Sequence, residues 1–140
     1  MTTIPSTTIS VFSYNGGNSI DVLAFPSLLS ASGLVTITNN PLLTSIQFGA
    51  SPVFASTTLT FSNNALDQPT MDSILALVDA SGQSNGTLDL SGTSMAAYSD
   101  AIGMPSYNNL VSRGWNILTS YIVDGGGSVV LDANGQPIYL

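Results

Sequence analysis

Residues 34–42 read LVTITNNPL, residues 58–66 read TLTFSNNAL, and residues 87–95 read TLDLSGTSM. Aligned, they place Val35, Leu59 and Leu88 in one column and Ile37, Phe61 and Leu90 in a second. A third column holds Asn40, Asn64 and Thr93, and a fourth holds Leu42, Leu66 and Met95. The pattern is L-x-L-x-x-N-x-L. Alternation of period two puts the first two apolar side chains on one face of a strand, and the later apolar residue re-enters the core after a turn. An Asn at that turn has an amide that serves both backbone N–H and C=O groups, so stacked copies predict an Asn ladder. GWNILTSYI at 114–122 fits as a fourth copy, with Trp115, Ile117, Ser120 and Ile122 in the four columns. On that alignment Thr93 and Ser120 are weaker substitutes for the ladder Asn. ISVFSYN at 9–15 lies about one period upstream and reads as a degenerate first turn.

Repeats at this spacing predict stacked units that bury a shared core, each contacting its neighbours. Between the copies, DQPTMDSILALVDASG (67–82) sets Met71, Ile74, Leu75 and Val78 at i, i+3, i+4 and i+7, one face of a helix. Pro69 suits the first turn and Gly82 follows the last. Asp67 and Asp72 suit the helix start, where a carboxylate caps free N–H groups and meets the positive end of the dipole. NNLVSRG ends in a cation and a glycine, the signature of a helix C-terminus, with Arg113 as the capping cation. LLTSIQFGASPVFAS (42–56) lacks helical periodicity and reads as an irregular or extended return. Gly125–Gly127 breaks the chain, and SVVLDANGQPIYL follows as two short strands around an Asp-Ala-Asn-Gly turn.

The segments LVTITNNPLLTSI and TLTFSNNALDQPTMDSILALVDASG resemble divergent leucine-rich repeats of bacterial and bacteriophage surface and virion structural proteins. The resemblance covers roughly residues 30–122. It departs from the family where Ser32, Ser56, Asn85 and Ser112 take the place of the first Leu of L-x-x-L-x-L. It implies an α/β repeat solenoid: a short parallel sheet, one or two helices on the convex side, and a C-terminal β-hairpin. The organisation expected is a repeat body over 1–123, with clear repeats from about 34, and a Gly-rich linker and hairpin cap over 124–140.

Composition narrows the function. The 140 residues carry eight acids, all Asp, one cation, Arg113, and no His, for a net charge of -7. Without a basic patch the chain is a poor partner for nucleic acid or an anionic membrane, since both need Lys and Arg to displace counterions. No Cys and no His means no disulfide, no thiol nucleophile and no zinc site of the usual kind. Gly92-Thr93-Ser94-Met95-Ala96 matches the surroundings of a subtilisin-type nucleophile, but such a triad needs a His to take the serine proton. Asp124, Asp132 and Asn134 lack the spacing and closing Glu of an EF-hand, and a glycosidase needs two carboxylates at a defined separation, where the sequence identifies no second one to go with Asp89. Asn85-Gly86-Thr87 reads as a turn entering a strand. Trp115 reads as core, and Tyr14, Tyr107, Tyr121 and Tyr139 as end or edge aromatics.

These readings predict a protein that is not an enzyme, needs no cofactor or metal, and works by contact. The expected contact face is the outward side of the strands, Thr36, Thr38, Thr60, Ser62, Asp89, Ser91 and Asn116, with Asp89 beside Thr36, Thr60 and Asn116. The opening MTTIPSTTIS has neither the basic nor the apolar region of a secretory leader, and no apolar run reaches membrane-spanning length. A Ser/Thr/Asn-rich, thiol-free surface without a leader fits a bacteriophage virion subunit: a capsid decoration, head-fibre or tail-associated protein. Its partners would be other virion proteins or further copies of itself, through the apolar residues of 1–8 and 124–140. The alternative is an extracellular or cell-surface adhesion module holding protein or glycan on its concave sheet.

Overall fold

The computed structural model describes residues 1–16, 19–49 and 51–140. It is an α/β fold of three parallel sheets and two helices. The chain visits the sheets in rotation. The first sheet holds β1 (Thr2–Thr3), β4 (Val22–Phe25) and β7 (Ser45–Phe48). The second holds β2 (Thr8–Ile9), β5 (Ser30–Ala31) and β8 (Val53–Phe54). The third takes one strand from every circuit: β3 (Phe12–Asn15), β6 (Val35–Thr38), β9 (Thr58–Thr60), β10 (Thr87–Asp89) and β11 (Asn116–Leu118). After β9, helix α1 (Gln68–Ala80) and helix α2 (Gly103–Ser112) replace the strands of the first two sheets. The return at 42–56, which lacks helical periodicity, is therefore two strands of two further sheets. Short strands of two to four residues carry too few alternations for a periodic signal.

Register follows the repeat where the repeat is clear. Val35 pairs Leu59, Leu59 pairs Leu88, and upstream Phe12 pairs Val35, so ISVFSYN supplies a strand of the same parallel sheet. The fourth copy differs from its sequence alignment by two residues. Leu88 pairs Ile117, not Trp115, and Asp89 pairs Leu118. Trp115 is buried one step earlier, with its ring against Gly86 and its indole N–H donating to the Gln83 carbonyl at 2.8 Å. An indole and a leucine are interchangeable in an apolar pattern, so the pattern alone does not fix that register.

The paired asparagines divide two tasks. Asn39 and Asn63 take positive φ (59° and 56°), a conformation Asn tolerates better than most residues. That turn aims the next residue inward. Asn64 is buried, and its Oδ1 accepts from the backbone N–H and the Nδ2 of Asn40, both at 3.1 Å. Its own Nδ2 donates to the Ile37 and Phe61 carbonyls at 2.8 Å. In the next circuits Thr93 is exposed and outside the ladder, while Ser120 Oγ accepts from Gly92 N–H at 2.6 Å. Phe12, Phe25, Phe48 and Phe54 make successive ring contacts of 5.3 to 5.7 Å, with Phe25 and Phe54 in the core and Phe12 and Phe48 packed against it.

Helix α1 forms on the predicted face, with Met71, Ile74, Leu75 and Val78 all buried. Asp67 caps it, accepting from Thr70 N–H at 3.0 Å. Asp72 does not cap it: the carboxylate is buried, and it accepts from the backbone N–H and hydroxyl of Ser99, each at 2.7 Å. The Ser99 hydroxyl in turn accepts from Ile102 N–H, so Asp72 steadies the entry to α2. Helix α2 buries Gly103, Ser106 and Leu110. Two small residues on the inner face hide its periodicity, which is why only its end is legible. Arg113 is the C-cap residue of α2, its backbone N–H donating to the Asn109 and Leu110 carbonyls at 3.2 and 3.0 Å, but its guanidinium does not stay on that helix. It reaches back to α1, donating to Asp79 Oδ1 at 2.7 Å, the Asp79 carbonyl at 3.0 Å and the Gln83 carbonyl at 3.2 Å.

The last twenty-one residues are an eight-residue repeat: SYIVDGGG, SVVLDANG, QPIYL. Each copy is a short extended segment, and each pairs antiparallel with both others, at Tyr121 with Tyr139, Val123 with Val129, and Leu131 with Pro137. The hydrogen bonds run in a ring, Val130 N–H to Ile122, Ile138 N–H to Val130, and Ile122 N–H to Ile138. Asp124 and Asp132 each accept from the N–H groups two and four residues on, which folds the turns. The expected hairpin at Asp132–Gly135 is present as one side of this three-segment unit. These N–H donors hold the Asp132 carboxyl below the ordinary carboxylate range.

Tyr121 is buried where an edge position is expected, in a cluster with Tyr98, Tyr107 and Tyr139. Tyr98 donates to the Gly127 carbonyl at 2.7 Å. Desolvation pushes the phenols of Tyr98, Tyr107 and Tyr121 above their usual value. Unfolded, these phenols ionise near pH 10; folded, Tyr98 and Tyr121 stay neutral well beyond it. Stability is therefore unaffected by them below about pH 10 and falls above it, by about 1.4 kcal/mol per pH unit for each buried phenol. Urea unfolding at pH 9 and pH 11 reads this loss, and Tyr121→Phe makes it shallower.

Candidate interaction face

The outward side of the third sheet carries two rows of the predicted residues. The first row is Ser13, Thr36, Thr60 and Asp89, ending on Leu118. In the second, Asn15 stands against Thr38, with Ser62 and Ser91 following β9 and β10. The rows differ in access. Thr36, Thr60, Asp89 and Ser91 are half-buried, whereas Thr38 and Ser62 are buried. The chain turns inward there through Asn39 and Asn63, which draws the second row under the turn.

Asn116 is exposed but stands against Thr87 and Thr58, one row away from Asp89. The two-residue difference in the fourth copy accounts for that separation. Asp89 is locally tied down: its Oδ1 accepts from Ser91 N–H at 3.0 Å and Ser91 Oγ at 2.6 Å. Thr36, Thr60 and Asp89 therefore stand together, Ser91 supports Asp89, and Asn116 lies apart. Asn15 adds to the face unexpectedly, with its Oδ1 accepting from Asn39 Nδ2 at 3.1 Å. Exposed Val11, Leu34 and Leu118 flank the polar rows. The copy-to-copy offset locates Val11 and Leu34 as the positions preceding the strand pair Phe12 and Val35.

Two surface hollows lie elsewhere, one by Gln68, Tyr98 and Ser99, the other by Asp72, Ser73 and Ile102, and none of the predicted face residues lines either. Ser94 is exposed beside buried Met95, which fills the stack. Gly92, at φ 141°, passes so near Asn63 that a Cβ there would meet its backbone nitrogen at 2.8 Å. Close approach of two circuits thus accounts for the Gly of Gly-Thr-Ser-Met. Among the described residues no cluster of three or more metal-ligating side chains occurs, and no helix is long and apolar enough to cross a membrane.

No protein-family model matches the chain, and neither the curated proteins nor the solved structures contain a match.

Proposed function

We propose that the chain is a short leucine-rich-repeat-like solenoid that serves as a non-enzymatic structural module, a bacteriophage virion subunit contacting other virion proteins. The observation that carries this reading is the make-up of the third sheet's outward face. Its central row runs Ser13, Thr36, Thr60, Asp89 and Leu118 across five strands, about 19 Å wide at ordinary strand spacing, with Asp89 Oδ1 held by Ser91 and exposed Val11, Leu34 and Leu118 beside its polar residues. A face with a polar centre and apolar flanks, none of whose residues lines either surface hollow, suits packing against another protein surface; a small ligand needs a concavity with convergent polar groups. The resemblance of residues 30–122 to repeats of virion structural proteins gives the class, and the thiol-free Ser/Thr/Asn surface suits it.

Mass spectrometry of density-gradient-purified phage particles from the source culture tests this. The chain is expected in the particles at a fixed ratio to the capsid or tail proteins. Its absence from particles and presence in a cell-surface fraction would overturn the reading. That outcome would favour the adhesion module, for which Asp89 Oδ2 and the Thr60 hydroxyl are the available polar groups. Glycan-array binding lost in Asp89→Ala and Thr60→Ala would then identify the ligand face.

A further inference from the structure

The two ends of the stack are unlike. At the far end, α1 lies against the last strands of the first two sheets, and the residues flanking it bond to the backbone there. Phe54 N–H donates to Ser81 Oγ at 2.8 Å, and Ala65 and Asp67 N–H donate to the Leu43 and Thr44 carbonyls. The third sheet ends on β11, followed by the three-segment C-terminal unit. At the near end, β1, β2 and β3 are each the outermost strand of their sheet among the described residues. The N–H groups of Ile4 and Phe12 face inward, to Ala24 and Leu34, and Ser30 and Ser32 N–H reach the Thr7 and Ile9 carbonyls. Backbone alternation then turns the N–H and C=O of Thr3 and Ser13 and the N–H of Thr8 off this end, while the Thr8 carbonyl accepts from Ser6 Oγ at 2.8 Å.

Proteins usually blunt such edges with charge, and here there is almost none. Asp21 is the only charged side chain in residues 1–66, and it is matched by the amino group of Met1 at 3.2 Å. That amino group holds the Asp21 carboxyl below its ordinary value. The other seven Asp, with Arg113, lie at or beyond residue 67. Among the described residues one end is thus neutral with three outermost strand edges, and the other carries the net negative charge.

We infer that the near end is a self-association surface that takes a second copy of this chain, end to end about a two-fold axis. The inference rests on the stacked reading of the fold and specifies the assembly contact. Three edges set around one core are matched together by a surface of the same outline, and a second near end supplies it. The two-fold axis normal to the third sheet lays β3 antiparallel against its own mate. It also exchanges the other two sheets, so that β1 meets the partner's β2. Neutral ends meet, and the acidic ends point apart. A head-to-tail stack would instead press the open end onto the covered one, and it would grow without closing.

The chain lacks cysteine, which makes crosslinking clean. On mild oxidation of the full chain, Ser13→Cys or Asn15→Cys, whichever lies nearer the axis, is expected to give a disulfide-linked dimer. Thr3→Cys alone is expected to stay monomeric, and a mixture of Thr3→Cys with Thr8→Cys to crosslink. Sedimentation velocity of the unmodified chain is expected to show a monomer–dimer equilibrium little changed by salt. Ser13→Pro, which removes only an outward donor and is tolerated on an edge, is expected to weaken it at least tenfold while far-UV circular dichroism is unchanged. A chain monomeric at all concentrations, open-ended growth, or a dimer indifferent to Ser13→Pro would overturn the inference. Dimers without particle association would leave this inference standing and remove the virion reading; particle association by a monomer would do the reverse.

Discussion

Asn64→Ala is expected to lower stability by about 3 kcal/mol, which for a chain of this size lowers the melting temperature by about 10 °C. The side chain is buried and makes four hydrogen bonds. Alanine leaves the Ile37 and Phe61 carbonyls and the Asn40 N–H without partners, in a region sealed from water. Unsatisfied buried groups cost more than a formed bond contributes, and here three are created at once. Asn64→Asp keeps the shape but loses both donors and adds a buried charge, so it is expected to be at least as damaging. Asn63→Gly supplies the internal comparison. That residue is exposed and its positive φ suits glycine, so the variant is expected to melt close to the parent. Thermal unfolding followed by circular dichroism measures all three, and a neutral Asn64→Ala would mean that the ladder holds nothing together.

Gly33→Ala is expected to cost about 3 kcal/mol, at the upper end for overpacking. A Cβ at Gly33 would run into the backbone carbonyl of Ser10 in the preceding circuit. The obstacle is main chain, so no rotamer change relieves it, and the first circuit has to move off the second. The loss is expected to appear first as proteolysis within residues 1–16, before global melting. Gly125→Ala is the matched control. Nothing lies within 4 Å of a Cβ there, and the variant is expected to unfold with the parent in urea. Equal midpoints for the two variants would show that the circuits are not in contact at Gly33.

The third sheet and α1 were legible because they obey strong local rules. Val35, Leu59 and Leu88 repeat in register, and Met71, Ile74, Leu75 and Val78 define a helical face. The first two sheets were not, since pairs such as Val53–Phe54 and Ser30–Ala31 are too short to alternate. Their order comes from stacking on neighbours, a tertiary effect. The C-terminal unit left a readable signal in its eight-residue period, with Asp124 and Asp132 heading equivalent turns. A search tuned to periods above twenty passes over it. Of the face, Thr36, Thr60 and Asp89 were placed together from sequence. Thr38 and Ser62 are buried because the Asn turn bends over them, and Asn116 is displaced because the fourth copy slips by two residues. Arg113 ends its own helix, as the capping rule reads, but sequence adjacency does not show where its guanidinium goes. Its actual partner, Asp79, is 34 residues away.

The central claim is that five strands, one from each circuit, stack in register in a single parallel sheet. Spin labels at Ser13→Cys and Leu118→Cys stand on the same row at its two ends. Pulsed dipolar spectroscopy on the doubly labelled chain, diluted with unlabelled chain, measures their separation. The account predicts a single narrow distribution for a backbone separation of about 19 Å, four strand spacings, widened only by the label linkers. A broad distribution, or a mean at more than about twice that separation, would contradict it.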